Sequence, residues 1–145
     1  MPGWRIAFAV GNAAMLQNLL RLKTNVDSGM FVALQRTAVE AISLIPSFTA
    51  QMHEVYRRRR DLVCDELAAL GVAVERPRAG IYVWTPTPGG MRSQAFADRL
   101  LAEGGVVVGA GSSYGEHGEG YVRLSLTVPD DRLAEAMARI GRLYT

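Results

Sequence analysis

The sequence has a single cysteine, Cys64, a single lysine, Lys23, and no apolar run of the ~18 residues that a membrane-spanning helix needs. One cysteine excludes an intramolecular disulfide and any multi-cysteine metal site. Its place in a helical run makes it a packing residue. His53 and His117 stand far apart, without ligand-like spacing to other donors, so no metal site is expected. Positive charge is almost entirely arginine, yet 16 Lys and Arg against 14 Asp and Glu leave a net charge of only +2. That balance lacks the concentrated basic face that nucleic-acid binding usually requires. The opening Met1-Pro2-Gly3-Trp4-Arg5 has no signal-peptide core, and a cytoplasmic protein is expected. What remains is ordinary soluble composition, 49% hydrophobic and 21% charged over 145 residues. This length suits one domain, or a small domain joined to part of another.

Ile6 to Val10 is a short apolar run closed by Gly11 and reads as a buried strand. Few residues precede it to supply neighbours, so alone it should be disordered, swapped or prone to aggregate. Asn12 can cap a first helix carrying Leu16, Leu19, Leu20 and Leu22. A polar break at 24–29 leads to a second helix over 31–45, which Pro46 should end. A third, long helix is expected from Ser47 or Thr49 to Leu70, stopped at Gly71. The remainder alternates: strands at 72–75 and 81–84, a helix capped by Ser93 and running to about Glu103, strands at 106–108 and 121–126, and a final helix opened by Pro129-Asp130-Asp131.

This order implies an α/β chain of three parts. Residues 1–28 read as the end of a larger domain's sheet, 29–71 as connecting helices, and 72–145 as an α+β small domain whose sheet is covered by helices.

Arg123 stands mid-strand between Val122 and Leu124, so its side chain leaves the opposite face. It either faces solvent or is poised over a cleft, where its fork suits a carboxylate. The glycine-rich stretch 109–115 just before it is not followed by a helix and is a poor match to a nucleotide-binding turn. Arg5 is either a surface residue near a terminus or a phosphate ligand. Arg57-Arg58-Arg59-Arg60 points around all faces of a helix rather than forming one stripe. Asp61, Asp65 and Glu66 lie in reach for pairing, so a solvated helix face is expected there. Steep salt-dependent DNA binding would be needed to support a nucleic-acid role. Asp130 and Asp131 read as a helix start rather than a catalytic pair.

Several segments, in order, resemble the class I/II aminotransferases of the type I pyridoxal-phosphate fold, nearest to members like the LL-diaminopimelate and aspartate aminotransferases. They are Met1-Pro2-Gly3-Trp4-Arg5-Ile6-Ala7-Phe8-Ala9-Val10-Gly11, the stretch 23–29, Tyr56-x-Arg58-Arg59-Arg60-Asp61, Ala79-Gly80-Ile81-Tyr82-Val83-Trp84 and Gly118-Glu119-Gly120-Tyr121-Val122-Arg123-Leu124-Ser125. The resemblance implies transfer of an amino group between an amino acid and a 2-oxo acid, with pyridoxal 5'-phosphate as cofactor in a homodimer. It implies that Arg5 grips the cofactor phosphate and that Arg123 holds the substrate α-carboxylate. By the same resemblance Gly80 and Ile81 line the substrate side, and Asn25 and Ser28 approach the site near the dimer interface. The family's Schiff-base lysine would fall before residue 1, and Lys23 cannot stand in for it. No catalytic residue is therefore assigned within these residues, and the chain alone is expected to be inactive. Where many relatives read P-G-x-x-F-G before the carboxylate arginine, this sequence has Ala110-Gly111-Ser112-Ser113-Tyr114-Gly115. The alternative is a noncatalytic binding domain derived from such a small domain.

Overall fold

The computed structural model describes residues 3–144, so Met1 and Pro2 of the first motif lie outside the described residues. The chain divides into two compact units, Met1–Ala50 and Gln51–Thr145.

In the first unit, Gly3 and Trp4 form a turn and residues 5–10 carry no regular secondary structure. The strand expected over 6–10 is absent. A lone extended segment gains no ladder hydrogen bonds, and no described strand pairs with it. Helix α1 spans Ala13–Val26. Its N-cap is Asn12, whose Oδ1 accepts from the backbone N–H groups of Ala14 (3.0 Å) and Met15 (3.2 Å). The polar stretch at 24–29 breaks the helix later than expected, at Asp27, which also pairs with Lys23 at 2.7 Å. Helix α2 spans Val32–Ser43 and buries only Ala38. Trp4, Phe8, Leu19, Leu20, Leu22, Phe31 and Phe48 remain exposed.

Helix α3 spans Ile45–Ala69. Pro46 does not end a helix but lies in the first turn of this one. There a missing N–H costs nothing, because the first N–H groups of a helix have no partner within it.

The second unit holds the core. Its sheet has three antiparallel strands in the order β1-β3-β2, with β1 at Tyr82–Pro86, β2 at Gly109–Ala110 and β3 at Tyr121–Ser125. Helix α4 spans Ser93–Gly104 and α5 spans Asp130–Gly141. Val83, Val122 and Leu124 leave one face of the sheet and meet Phe96 and Leu100 of α4, Leu133, Met137 and Ile140 of α5, and Val63, Cys64 and Leu67 of α3. Burial lifts the Cys64 thiol above its usual pKa, in keeping with a packing role.

Two expected strands are not formed as such. Residues 72–75 only trail from α3, whose end is closed by the Val72 N–H donating to Leu67 C=O at 3.0 Å. Val72 and Val74 alternate against the core without a partner strand. The 106–108 run reaches the sheet only at Gly109 and Ala110, opposite Arg123 and Val122.

Candidate functional site

The face of the sheet opposite the core carries Tyr82 and Trp84 of β1 and Tyr121, Arg123 and Ser125 of β3, because alternate residues of a strand leave opposite faces. Arg123 is half-buried in the middle strand, across from Trp84 on one side and Gly109 on the other. Its guanidinium carbon lies 3.8 Å from the centroid of the Tyr82 ring and 4.4 Å from that of Tyr114. Trp84 meets Tyr114 edge to face, with centroids 5.4 Å apart. No carboxylate among the described residues pairs with Arg123, so its N–H groups stay available to an incoming acceptor.

The loop between β2 and β3 is held by backbone approach and by one buried hydroxyl. Gly111 and Gly118 cross so closely that a Cβ on Gly118 would stand 2.1 Å from the Gly111 carbonyl oxygen. Ser93, fully buried, accepts through Oγ from the N–H groups of Gly120 (2.8 Å) and Tyr121 (3.2 Å) and donates to the Gly118 carbonyl. Ser93 was expected to cap α4; the cap position is Arg92, and Glu119 Oε1 instead accepts from the Ser93 N–H at 2.9 Å. The helix start and the loop thus satisfy each other's polar groups, and Tyr114 is fixed beside Arg123.

Gly80 and Ile81 enter β1 beside the end of β3, where the Leu126 N–H donates to Ile81 C=O at 2.9 Å. Gly80 has φ +93°, a backbone state that favours glycine. Tyr82, the residue after Ile81, is the one of this segment that lies against Arg123.

Arg5 and Asn25 belong to the first unit. Asn25 turns its amide back to the Arg21 carbonyl of its own helix at 2.6 Å, and both Asn25 and Ser28 are exposed. Arg5 is exposed and has φ +51°, a left-handed state that costs a non-glycine residue about 1 kcal/mol.

The arginine quadruplet is only in part the expected solvated face: Arg57 and Arg58 are exposed, but Arg59 and Arg60 are half-buried. Asp130 at the start of α5 takes Arg58 Nη2 at 2.5 Å and Arg59 Nε at 2.6 Å, while Arg59 also donates to the Leu126 carbonyl at 3.0 Å. Arg60 pairs with Asp61 and donates to the Pro77 carbonyl, and Arg57 pairs with Glu54. Arg76 bridges Asp61 and Asp65, which raises its own pKa. Two of the four, Arg58 and Arg59, thus take a long-range carboxylate partner, whereas Arg57 and Arg60 pair with carboxylates close in sequence. The Asp130 pKa falls below its usual value through the hydrogen bonds from Arg59 and then Arg58. A carboxylate so depressed contributes stability that is present above the unfolded value and lost as pH falls through the folded one. The Asp130→Asn variant should therefore unfold at lower urea than the parent at about pH 6, and the two midpoints should converge well below pH 3.8.

Similarity to known proteins supports a single family. The description "Aminotransferase class I and II" matches residues 1–140. The chain belongs to the class I and II aminotransferases. The LL-diaminopimelate aminotransferase of Desulforudis audaxviator is 46% identical over 140 residues, which cover 97% of this chain and 36% of that enzyme. LL-diaminopimelate aminotransferase 2 of Nostoc sp. shows the same identity and coverage. Among solved structures, an aminotransferase from Staphylococcus aureus superposes with a TM-score of 0.90 at 38% identity, over 98% of this chain and 38% of that one. A Thermus thermophilus aspartate aminotransferase with maleate gives 0.86 at 31% identity, over 97% and 37%. The chain thus spans little more than a third of the length of the relatives it matches.

The complete enzymes of this family use pyridoxal 5'-phosphate. Arg5 is exposed and makes no hydrogen bond among the described residues, so its guanidinium is available to an anion such as a phosphate. Sequence reasoning singled out both arginines but missed Tyr82, Trp84 and Tyr114 as parts of the Arg123 surroundings. Period-two spacing already put Tyr82 and Trp84 on one face; nothing local announced Tyr114.

Proposed function

We propose that this chain contributes the C-terminal part of a pyridoxal-phosphate aminotransferase, in which Arg123 holds the α-carboxylate of the amino acid and of the 2-oxo acid. The half-buried, carboxylate-free guanidinium of Arg123 carries this reading. Its planar fork matches a carboxylate with two parallel charge-assisted hydrogen bonds, which fixes the orientation of the substrate Cα. Gly80 and Ile81 border the substrate, and Asn25 and Ser28 belong nearer the dimer interface. Arg5 grips the cofactor phosphate. When bound, the cofactor supplies an electron sink for the carbanion that forms at Cα.

Residues 1–28 serve as the end of the cofactor-binding domain, 29–71 as connecting helices and 72–145 as the small domain. The working assembly is a cytoplasmic homodimer acting on amino and 2-oxo acids. The names shared by the most similar relatives favour LL-diaminopimelate as donor.

No group within these 145 residues is assigned to bond the cofactor or move the Cα proton. The only lysine, Lys23, is exposed at the end of α1 and tied to Asp27. By itself the chain should leave the absorbance of added pyridoxal phosphate unchanged. Mixed with a separately produced N-terminal part of a relative, it should shift that absorbance and catalyse transamination. If the mixture stays silent in both respects, the noncatalytic binding-domain reading replaces this one.

A further inference from the structure

The aromatic rings around Arg123 have no assigned role. We propose that Tyr82 and Tyr114 are positioning residues that hold the Arg123 guanidinium for a carboxylate, an inference that rests on the reading of Arg123 given above. Both ring centroids lie within 4.4 Å of the guanidinium carbon, well inside the distance at which a cation is attracted to an aromatic face. A ring face attracts the cation without competing as a carboxylate would, so the N–H groups stay free for substrate. An acidic neighbour in the same place would hold the side chain equally well and block it.

The clamp is assembled from separate pieces. Tyr82 comes from β1, whereas Tyr114 comes from the loop closed by the Gly111–Gly118 crossing. Trp84 braces Tyr114 from its edge, and the Tyr114 hydroxyl lies over Gly109, where a Cβ would meet it at 2.8 Å. Gly109 is also the residue paired with Arg123 across the sheet, so strand register and the ring's seat are set together. An arginine loses rotamer freedom when it binds an anion; one already held in place loses less, and affinity rises accordingly.

The test uses the whole 145-residue chain and maleate as a carboxylate probe, followed through the side-chain Nε–H resonance of Arg123. In the parent chain that resonance should be displaced upfield by the rings and should move on titration with maleate. Tyr82→Leu and Tyr114→Leu should each remove part of the upfield displacement and weaken maleate binding about three- to tenfold. Tyr82→Phe and Tyr114→Phe, which keep the ring, should match the parent in both readouts. The Arg123→Gln chain should bind no maleate.

Each failure has its own meaning. If both leucine variants bind maleate like the parent while Arg123→Gln does not, the clamp is overturned and the carboxylate reading stands. If Arg123→Gln binds as well as the parent, or the parent does not bind, the carboxylate reading and the clamp fall together. Both tyrosines are exposed enough, at 36% and 48%, for the leucine variants to keep the fold, which an unchanged amide spectrum elsewhere would verify.

Discussion

Gly118→Ala should destabilise the second unit by about 3 kcal/mol, at the upper end for one added methyl in a filled space. The new Cβ would stand 2.1 Å from a backbone oxygen of Gly111, and its nearest neighbours are main-chain atoms, not the end of a side chain that could swing aside. Relief therefore requires one of the two turns to move. Moving them also loosens the bonds from Ser93 to Gly118, Gly120 and Tyr121. The expected readout is a lower urea midpoint with an unchanged m value. Gly29→Ala is the matched control, because no atom lies within 4 Å of its added carbon and its φ is not in the left-handed range. An equal midpoint for Gly118→Ala and the parent would show that the crossing is looser than described.

Phe96→Ala should cost more, about 3–5 kcal/mol, the range for removing a large aromatic side chain from a core. Phe96 is the largest of the fully buried side chains and meets Tyr144 edge to face at 5.2 Å. Tyr144 in turn shares a 2.9 Å hydrogen bond with Thr85 and donates to the Pro86 carbonyl. Burial raises the Tyr144 pKa, the Thr85 hydrogen bond opposing, so its hydroxyl stays protonated and able to donate. Emptying the Phe96 site thus removes packing and also frees the ring that closes a polar group on β1. Against a typical total stability of about 5–15 kcal/mol, this loss should leave much of the second unit unfolded in mild urea. Phe96→Leu, which keeps most of the volume, should lose clearly less.

The sequence made the helices and the two longer strands readable because their signals are local. Asn12 announces a helix, Gly71 ends one, and alternation over 121–126 separates Val122 and Leu124 from Arg123. Pairing is not local, and the misread segments depend on it. Residues 6–10 and 72–75 have strand-like composition, but a strand exists only where another lies beside it. Pro46 misled for a related reason: its cost depends on whether a helix is ending or beginning there, and the next helix begins at Ile45. Arg58 and Arg59 could not reveal their partner, because Asp130 is 72 and 71 positions away, respectively. Period two exposed half of the Arg123 surroundings. The other half, Tyr114, arrives by a loop whose path depends on two glycines meeting.

The sheet order has a kinetic consequence. Its central strand, β3, is the last of the three in sequence, and β1 and β2 do not pair with each other. Until residues 121–125 arrive, both outer strands are unpaired segments with nothing to template them. Sheet formation then closes two loops, one of roughly forty residues between β1 and β3 and a much shorter one between β2 and β3. The long closure should therefore limit the folding rate of this unit, while the short β2–β3 pairing adds little to that cost.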